Sequence, residues 1–143
     1  MKKGILLLLV VTISIHGLTG CASDASKNDT GTQATSDSVI EYQKITAEEA
    51  VSMMKEEPSH ILLDVRTEEE FKEQHIDGAV LIPDSELNDR AETELPDKDA
   101  LILVYCRSGR RSADAVREMI QMGYTNIYDI GGIIDWPYDT IGR

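Results

Sequence analysis

The segment of this chain with the clearest capacity for chemistry is a seven-residue loop that combines a thiol with three cationic side chains. It consists of Cys106, Arg107, Ser108, Gly109, Arg110, Arg111 and Ser112. A positive field lowers the pKa of a nearby thiol, which favours the nucleophilic thiolate. The same field attracts an anionic substrate to the sulfur atom. Cys106 is therefore a candidate nucleophile, since an inert core cysteine fits an arginine-rich loop poorly.

The elements on either side of this loop must position it. Five consecutive apolar residues at 101–105 predict a buried strand that ends next to Cys106. Apolar residues at helical spacing after Ser112 predict a helix that ends near Gly123. In open α/β sheets, ligands bind beyond the carboxyl ends of the strands. There a tight loop turns its backbone N–H groups toward a bound anion, together with the positive end of the following helix. Gly109 permits the necessary curve.

The remaining pattern predicts one α/β domain over residues 40–143. Apolar runs at 61–63 and 79–82 predict further strands, and Ile127-Tyr128-Asp129-Ile130 predicts a last one. Runs that are apolar on both faces indicate a mainly parallel sheet. Thr46 and Thr67 each precede a glutamate by three residues, the spacing of a capping box that begins a helix. Alternating strands and helices predict a roughly five-stranded sheet with helices on both faces.

The first 39 residues have a different character. Two lysines precede an apolar run at 5–15 that is short for a bilayer span, which predicts a signal peptide over residues 1–20 rather than an uncleaved anchor helix. The sequence Leu18-Thr19-Gly20-Cys21 resembles the bacterial lipobox, and this resemblance implies cleavage before Cys21 and a lipid on its thiol. Residues 21–39 hold almost no large apolar side chain, so we expect a flexible tether. We therefore expect a lipid-anchored protein at the cell membrane, facing the extracytoplasmic side.

Composition limits the partners and the redox chemistry. The chain has two cysteines and a formal net charge of −12. If Cys21 carries a lipid, Cys106 has no disulfide partner in the chain and is left as a free thiol. An acidic surface disfavours nucleic acid. We expect no cofactor, and no metal, because the sequence has no cluster with metal-ligand spacing.

Four motifs in register resemble single-domain members of the rhodanese family, across residues 40–143. The first is the loop from Cys106 to Ser112. The others are Asp64-Val65-Arg66, then Glu70-Phe71 through His75-Ile76-Asp77-Gly78-Ala79 to Ile82-Pro83, and finally Gly131-Gly132 with Trp136. The resemblance implies a rhodanese-like α/β fold, and it implies that the protein transfers sulfane sulfur.

This resemblance implies roles for the residues of the loop. The Cys106 thiolate would attack the outer sulfur of a small anionic donor such as thiosulfate, and the persulfide so formed would pass its sulfur to a thiol or cyanide-like acceptor. Backbone amides of residues 107–112 would hold the persulfide and the anion. Arg107 and Arg110 are the candidates for contacting the donor, whereas Arg111 could instead brace the loop. We expect a monomer.

Two further residues are candidate supports for the site. Asp64 and Arg66 follow a predicted strand and could reach the loop, although an ion pair that fixes the local chain is the simpler interpretation. In the family pattern the histidine that matches His75 belongs to a structural turn, so we do not expect it to act as a base.

Two other functions stay open. A non-enzymatic module that carries sulfur or binds a persulfide would need the same loop. A cysteine-based phosphatase or arsenate reductase is the less favoured alternative, because the related phosphatases have one more residue between cysteine and arginine. Here four residues separate Cys106 from Arg111, which suits a single sulfur atom better than a phosphoryl group.

Overall fold

The computed structural model describes residues 41–142. Four strands and four α-helices alternate along this part of the chain. In chain order they are α1 (Ala47–Glu56), β1 (Ile61–Asp64), α2 (Glu68–Glu73), β2 (Val80–Leu81), α3 (Leu87–Glu94), β3 (Ile102–Cys106), α4 (Arg110–Gln121) and β4 (Ile127–Gly132). Short 3₁₀ turns occupy Asp84–Glu86 and Ile133–Asp135. The predicted signal peptide, Cys21 and the tether lie outside the described residues.

The strands form one parallel sheet in the order β2-β1-β3-β4. The predicted α/β class and the parallel sheet are confirmed, but the roughly five strands are one too many for residues 41–142, where the sheet has four. The chain at Lys44 makes only an isolated parallel bridge to Asp129 beside β4. It stops there because Thr46 already caps α1, so the chain turns away before a fifth strand can extend.

Both predicted capping boxes begin helices. The Thr46 hydroxyl accepts from Glu49 N at 3.2 Å, and Thr46 N donates to the Glu49 carboxylate at 2.8 Å. The Thr67 hydroxyl accepts from Glu70 N at 3.3 Å, and Thr67 N donates to Glu70 Oε2 at 3.1 Å. Each box satisfies N–H groups that a helix start would otherwise leave without partners. The second box also fixes Glu70, which accepts hydrogen bonds from Arg111 of α4.

Helices cover both faces of the sheet, as expected. Alternate residues of β3 point to opposite faces: Ile102 and Val104 pack in a core that includes α3 and α4, whereas Leu103 and Tyr105 pack in a second core against α1. All five residues of β3 are buried, with Cys106 only 1% exposed. This double burial explains the unbroken apolar run, and it holds the end of β3 rigidly. Within residues 41–142, every helix is too short or too polar to cross a bilayer.

Candidate active site

Cys106 is the last residue of β3 and lies at the carboxyl edge of the sheet. It pairs in register with Gly132 of β4, just after an irregularity in the ladder between Val104 and Tyr105. Only Arg107, Ser108 and Gly109 connect it to α4, which begins at Arg110. The thiol therefore sits at the base of a tight strand-to-helix turn, as the sequence predicts.

Gly109 gives the loop its curve. Its φ is +93°, in the left-handed region where a side chain is strained, and it is the N-cap of α4. In this conformation the Gly109 N–H donates a hydrogen bond to Cys106 Sγ at 3.1 Å. The twelve-residue helix α4 starts immediately afterwards, so its positive end lies beside the sulfur.

Hydrogen bonds at this turn lower the pKa of the Cys106 thiol. Burial raises the pKa of the Cys106 thiol, but hydrogen bonds from Ser112 and from the backbone N–H groups of Ser108 and Gly109 outweigh it, so the pKa lies below its ordinary value. The Ser112 hydroxyl has one proton, and it donates to the Asp129 carboxylate at 2.6 Å. We therefore attribute most of the lowering to the backbone N–H groups.

Asp129 of β4 holds the loop in place through hydrogen bonds, a role that the sequence did not reveal. The side chains of Asp129 and Ser112 are fully buried. Asp129 Oδ1 accepts from Ser112 Oγ and from Gly131 N at 2.6 and 2.8 Å, and Oδ2 accepts from the Tyr42 hydroxyl at 2.6 Å. Burial, together with this bond to Asp129, raises the pKa of Tyr42 to about 12. Asp129 thus joins the start of α4 to β4 and to the segment before α1.

The glycine pair of β4 lets the loop lie directly against the sheet. A Cβ at Gly132 would stand 2.5 Å from the Arg107 carbonyl oxygen and 2.6 Å from Ser108 Cα. No side chain fits that space without moving the loop backbone. Gly131 has φ +88°, a left-handed conformation that glycine adopts without strain. The Gly131-Gly132 motif is therefore part of the active-site geometry.

The three loop arginines occupy two different environments. Arg107 is exposed, and the Arg110 side chain is 80% exposed with Asp114 at 3.7 Å. Arg111 instead donates two hydrogen bonds to Glu70, both at 2.8 Å. The first two guanidinium groups are exposed to solvent, where an anion can approach them, while Arg111 is held by α2.

Asp64 and Arg66 form a buried ion pair beside the site. Arg66 donates to Asp64 through Nε and through Nη2, the latter at 2.6 Å, and Nη2 also donates to the Gln74 carbonyl at 2.6 Å. Their side chains are 4% and 0% exposed. Arg66 also lines a groove of about 240 Å³ with Arg107 and Glu70. The pair thus fixes the chain next to the loop and contributes one wall of this groove.

The remaining residues of the family motifs, His75 and Trp136, make packing contacts. The His75 ring stacks on Phe71 with 3.8 Å between ring centroids, and its Nδ1 lies 2.8 Å from the Phe71 carbonyl oxygen. Trp136 packs against the second core. Across residues 41–142, no three His, Cys, Asp or Glu side chains come together as a metal site would require.

Comparisons with known proteins agree with this geometry. The model of the family described as "Rhodanese-like domain" matches residues 46–137. Thiosulfate sulfurtransferase PspE of Escherichia coli is 40% identical over 73 residues, which cover 51% of this chain and 70% of PspE. Adenylyltransferase and sulfurtransferase UBA4 of Candida albicans is 35% identical over 114 residues, 75% of this chain. The chain spans only 26% of UBA4.

Solved structures share the fold. A structure titled "rhodanese with anions from E. coli" superposes with a TM-score of 0.55 at 34% identity, covering 59% of this chain and 99% of that one. The rhodanese-like domain of the Anabaena protein Alr3790 superposes with a TM-score of 0.65 at 28% identity, covering 72% of this chain and 81% of that one. Fold, loop and sequence comparisons converge, and the chain belongs to the rhodanese-like domain family.

Proposed function

We propose that this protein is a sulfurtransferase that carries sulfane sulfur on Cys106 and takes it from a small anionic donor such as thiosulfate. The observation that carries the proposal is the 3.1 Å hydrogen bond from Gly109 N to a buried Sγ at the start of α4. This turn favours a thiolate and also a second negative sulfur attached to it. The similarity to PspE, which is named a thiosulfate sulfurtransferase, supports thiosulfate as the donor.

The reaction proceeds in two displacements. The Cys106 thiolate attacks the outer sulfur of thiosulfate, an Sγ–S bond forms, and the S–S bond of thiosulfate breaks. Sulfite leaves with the electron pair of that bond. A nucleophilic acceptor such as cyanide then attacks the outer sulfur of the persulfide, and the Sγ–S electron pair returns to Cys106 as the thiolate. This is covalent catalysis with no net redox change of the protein.

The loop residues divide the work. Backbone N–H groups between Cys106 and Ser112 stabilise charge on the persulfide, as an oxyanion hole stabilises developing charge. The exposed Arg107 and Arg110 attract the sulfonate oxygens of the donor. Arg111 holds the loop through Glu70 and does not contact the donor in this proposal.

Steady-state thiosulfate:cyanide turnover tests the proposal. Cys106→Ser should abolish turnover, and residual turnover in that variant would overturn the mechanism. Arg107→Ala and Arg110→Ala should chiefly raise the KM for thiosulfate. Arg90→Ala is the matched control, because it removes the same charge from α3, where Arg90 pairs with Glu86 and Glu94.

The same assay separates the sulfur-carrier alternative. A carrier would accept one sulfur on Cys106 from thiosulfate or from a partner but would show no steady-state turnover with cyanide. Hydrolysis of an aryl phosphate at a rate comparable to thiosulfate turnover would instead favour the phosphatase alternative.

We further propose that the domain works on the extracytoplasmic side of the cell membrane, held by a lipid on Cys21. The lipobox-like sequence supports this proposal. Expression of the full chain with Cys21→Ala should leave the precursor unprocessed and remove lipid labelling. Unchanged processing and membrane attachment in that variant would refute it.

A further inference from the structure

The Tyr42 side chain is connected with the active-site sulfur by a continuous series of contacts. Its hydroxyl donates to Asp129 Oδ2 at 2.6 Å, and Asp129 Oδ1 accepts from Ser112 Oγ at 2.6 Å. Ser112 Oγ lies 3.1 Å from the Gly109 carbonyl oxygen, and the N–H of Gly109 donates to Cys106 Sγ at 3.1 Å. Tyr42 precedes α1, yet it takes part in the hydrogen bonding that holds the loop.

The buried Asp129 carboxylate depends on Tyr42 for one of its two oxygens. Oδ1 accepts from Ser112 Oγ and from Gly131 N, whereas Tyr42 is the only donor to Oδ2 among the residues that the structure describes. Asp129 is fully buried, and within residues 41–142 it takes part in no ion pair. A buried acceptor without a donor is unfavourable. Without the Tyr42 hydroxyl, Oδ2 would therefore compete with Oδ1 for the donors that hold the loop.

The Ser112 hydroxyl has one proton and three acceptors close to it. Its oxygen lies 2.6 Å from Asp129 Oδ1, 3.1 Å from Gly109 O and 3.3 Å from Gly131 O. The carboxylate is the nearest of the three, and a carboxylate is a stronger acceptor than a carbonyl. Its position therefore determines how Ser112 is held. Ser112 belongs to the first turn of α4, so its displacement would also displace the N–H groups beside the sulfur.

Tyr42 is itself held by α4 and β4. Its ring packs against the core that includes α3 and α4, and the Arg117 guanidinium of α4 lies 4.3 Å from the ring centroid. The backbone that follows pairs with β4, because Asp129 N donates to Gln43 O at 2.9 Å and Ile45 N donates to Asp129 O at 3.0 Å. These contacts fix the Tyr42 hydroxyl opposite the carboxylate.

We propose that Tyr42 is a positioning residue for sulfur transfer: its hydroxyl fixes the Asp129 carboxylate, and through it the turn that surrounds the Cys106 sulfur. Tyr42 contacts neither the donor nor the acceptor in this proposal. It lies before residues 46–137, which the family model matches, so the motifs of the family assign it no role. The inference rests on the proposed sulfurtransferase function and adds a residue to it.

Two substitutions of tyrosine by phenylalanine test the proposal. Tyr42→Phe removes the hydroxyl and keeps the ring that Arg117 contacts. Tyr124→Phe is the matched control, because it removes a buried hydroxyl that donates to Leu95 O at 2.9 Å. Tyr124 lies just before β4, whose start pairs with the start of β3, and so at the opposite edge of the sheet from Cys106. Each variant loses one hydrogen bond of the folded state, and both should have a lower Tm.

The decisive measurement is the rate of Cys106 alkylation by iodoacetamide between about pH 5 and pH 9, because the thiolate is the reactive form. Peptide mass spectrometry of the full chain locates the label on Cys106. Burial, together with the bond to Asp129, raises the pKa of Tyr42 to about 12, so its hydroxyl stays a donor across this range. The midpoint of the alkylation profile should move to higher pH in Tyr42→Phe, because the N–H groups are no longer held around the sulfur. It should not move in Tyr124→Phe.

Neither substitution changes the charged groups around Cys106. Besides the three loop arginines, the charged groups on the elements beside the sulfur are Glu70, Asp84, the Asp64–Arg66 pair and Asp129. A displaced profile in Tyr42→Phe therefore reports the position of the loop and not a change of charge. An unchanged midpoint in Tyr42→Phe, or an equal displacement in Tyr124→Phe, would overturn the inference.

Turnover and a double substitution complete the test. Tyr42→Phe should lower kcat/KM for thiosulfate about ten-fold, less than the roughly 100-fold that a misplacement of about 1 Å can cost. Because Tyr42 acts through the carboxylate, adding Tyr42→Phe to Asp129→Asn should displace the alkylation profile much less than it does alone, and additive displacements would contradict the inference. Absence of thiosulfate:cyanide turnover in the unaltered protein would refute the proposed function. The alkylation profiles need no turnover, so they would still decide whether Tyr42 positions the loop.

Discussion

The ion pair between Glu70 and Arg111 allows a quantitative test of how α2 holds the catalytic loop. Arg111 donates two hydrogen bonds to the carboxylate, both at 2.8 Å, across 41 residues of sequence. Glu70→Gln keeps the size of the side chain and an oxygen that can still cap Thr67. It removes the charge and places an amide N–H against one of the guanidinium donors. The substitution therefore isolates the ion pair from the capping box.

The burial of the pair sets the expected magnitude. Exposed ion pairs contribute about 0.2–1 kcal/mol, and breaking a fully buried one costs about 3–5 kcal/mol. The Arg111 and Glu70 side chains are 19% and 25% exposed, between these limits. We expect Glu70→Gln to lower the free energy of unfolding by about 1–2 kcal/mol at pH 7. Glu68→Gln is the control, because Glu68 lies on the same helix and its pair with Lys72 is more than half exposed. It should cost less than about 0.5 kcal/mol.

The pH dependence provides a second test. Hydrogen bonds from Arg111 hold the pKa of Glu70 below its ordinary value, which is about 4.3 in an unfolded chain. The stabilisation is therefore complete at neutral pH and is lost as the pH falls through the lowered pKa. Urea unfolding of both proteins, repeated from pH 7 toward about pH 3, should show the gap between unaltered protein and Glu70→Gln closing in acid. A gap that is the same at both ends of this range, or equal losses for Glu68→Gln and Glu70→Gln at pH 7, would refute the bracing role.

Two further predictions concern Gly132 and Arg66. Gly132→Ala would place a Cβ 2.5 Å from the Arg107 carbonyl oxygen, so displacement of the loop should lower kcat/KM for thiosulfate by roughly 100-fold. Gly78→Ala, with nothing within 4 Å of its Cβ, should cost only about 1–2 kcal/mol of stability from its positive φ and leave turnover intact; equal turnover in the two variants would contradict this account. Arg66→Met leaves a fully buried Asp64 without its partner and should cost about 3–5 kcal/mol in urea unfolding. Adding Asp64→Asn should recover part of that loss, and no recovery would show that the uncompensated charge is not the cause.

The sequence predicted the elements around the loop because their signals are local. The apolar run before Cys106 reflects burial on both faces of β3, and the threonine–glutamate spacings reflect hydrogen bonds made within one helical turn. The tightness of the turn predicted that Gly109 lets the loop curve, and Gly109 does so in a left-handed conformation. Each of these features depends on residues a few positions apart.

The contacts that the site makes with residues distant in sequence could not be predicted from such local signals. The spacing from Thr67 predicts Glu70 as part of a capping box, but it does not indicate that Glu70 also binds Arg111 of a distant helix. Nothing near Asp129 in sequence indicates that Ser112 and Tyr42 would converge on its carboxylate. The expected fifth strand is absent from residues 41–142 for a related reason. Lys44 forms an isolated bridge to Asp129 of β4, and α1, which Thr46 caps, begins before this pairing can extend. Such contacts depend on which distant residues the fold brings together, and the periodicity of the sequence does not predict this.

The central claim, that sulfur passes through a persulfide on Cys106, is tested most directly by intact mass spectrometry of the domain after brief treatment with thiosulfate. The account predicts a mass increase of one sulfur atom, located on Cys106, that disappears when cyanide is added and never forms in Cys106→Ser. Sulfur retained by the Cys106→Ser protein, or steady turnover with no sulfur on Cys106, would contradict it.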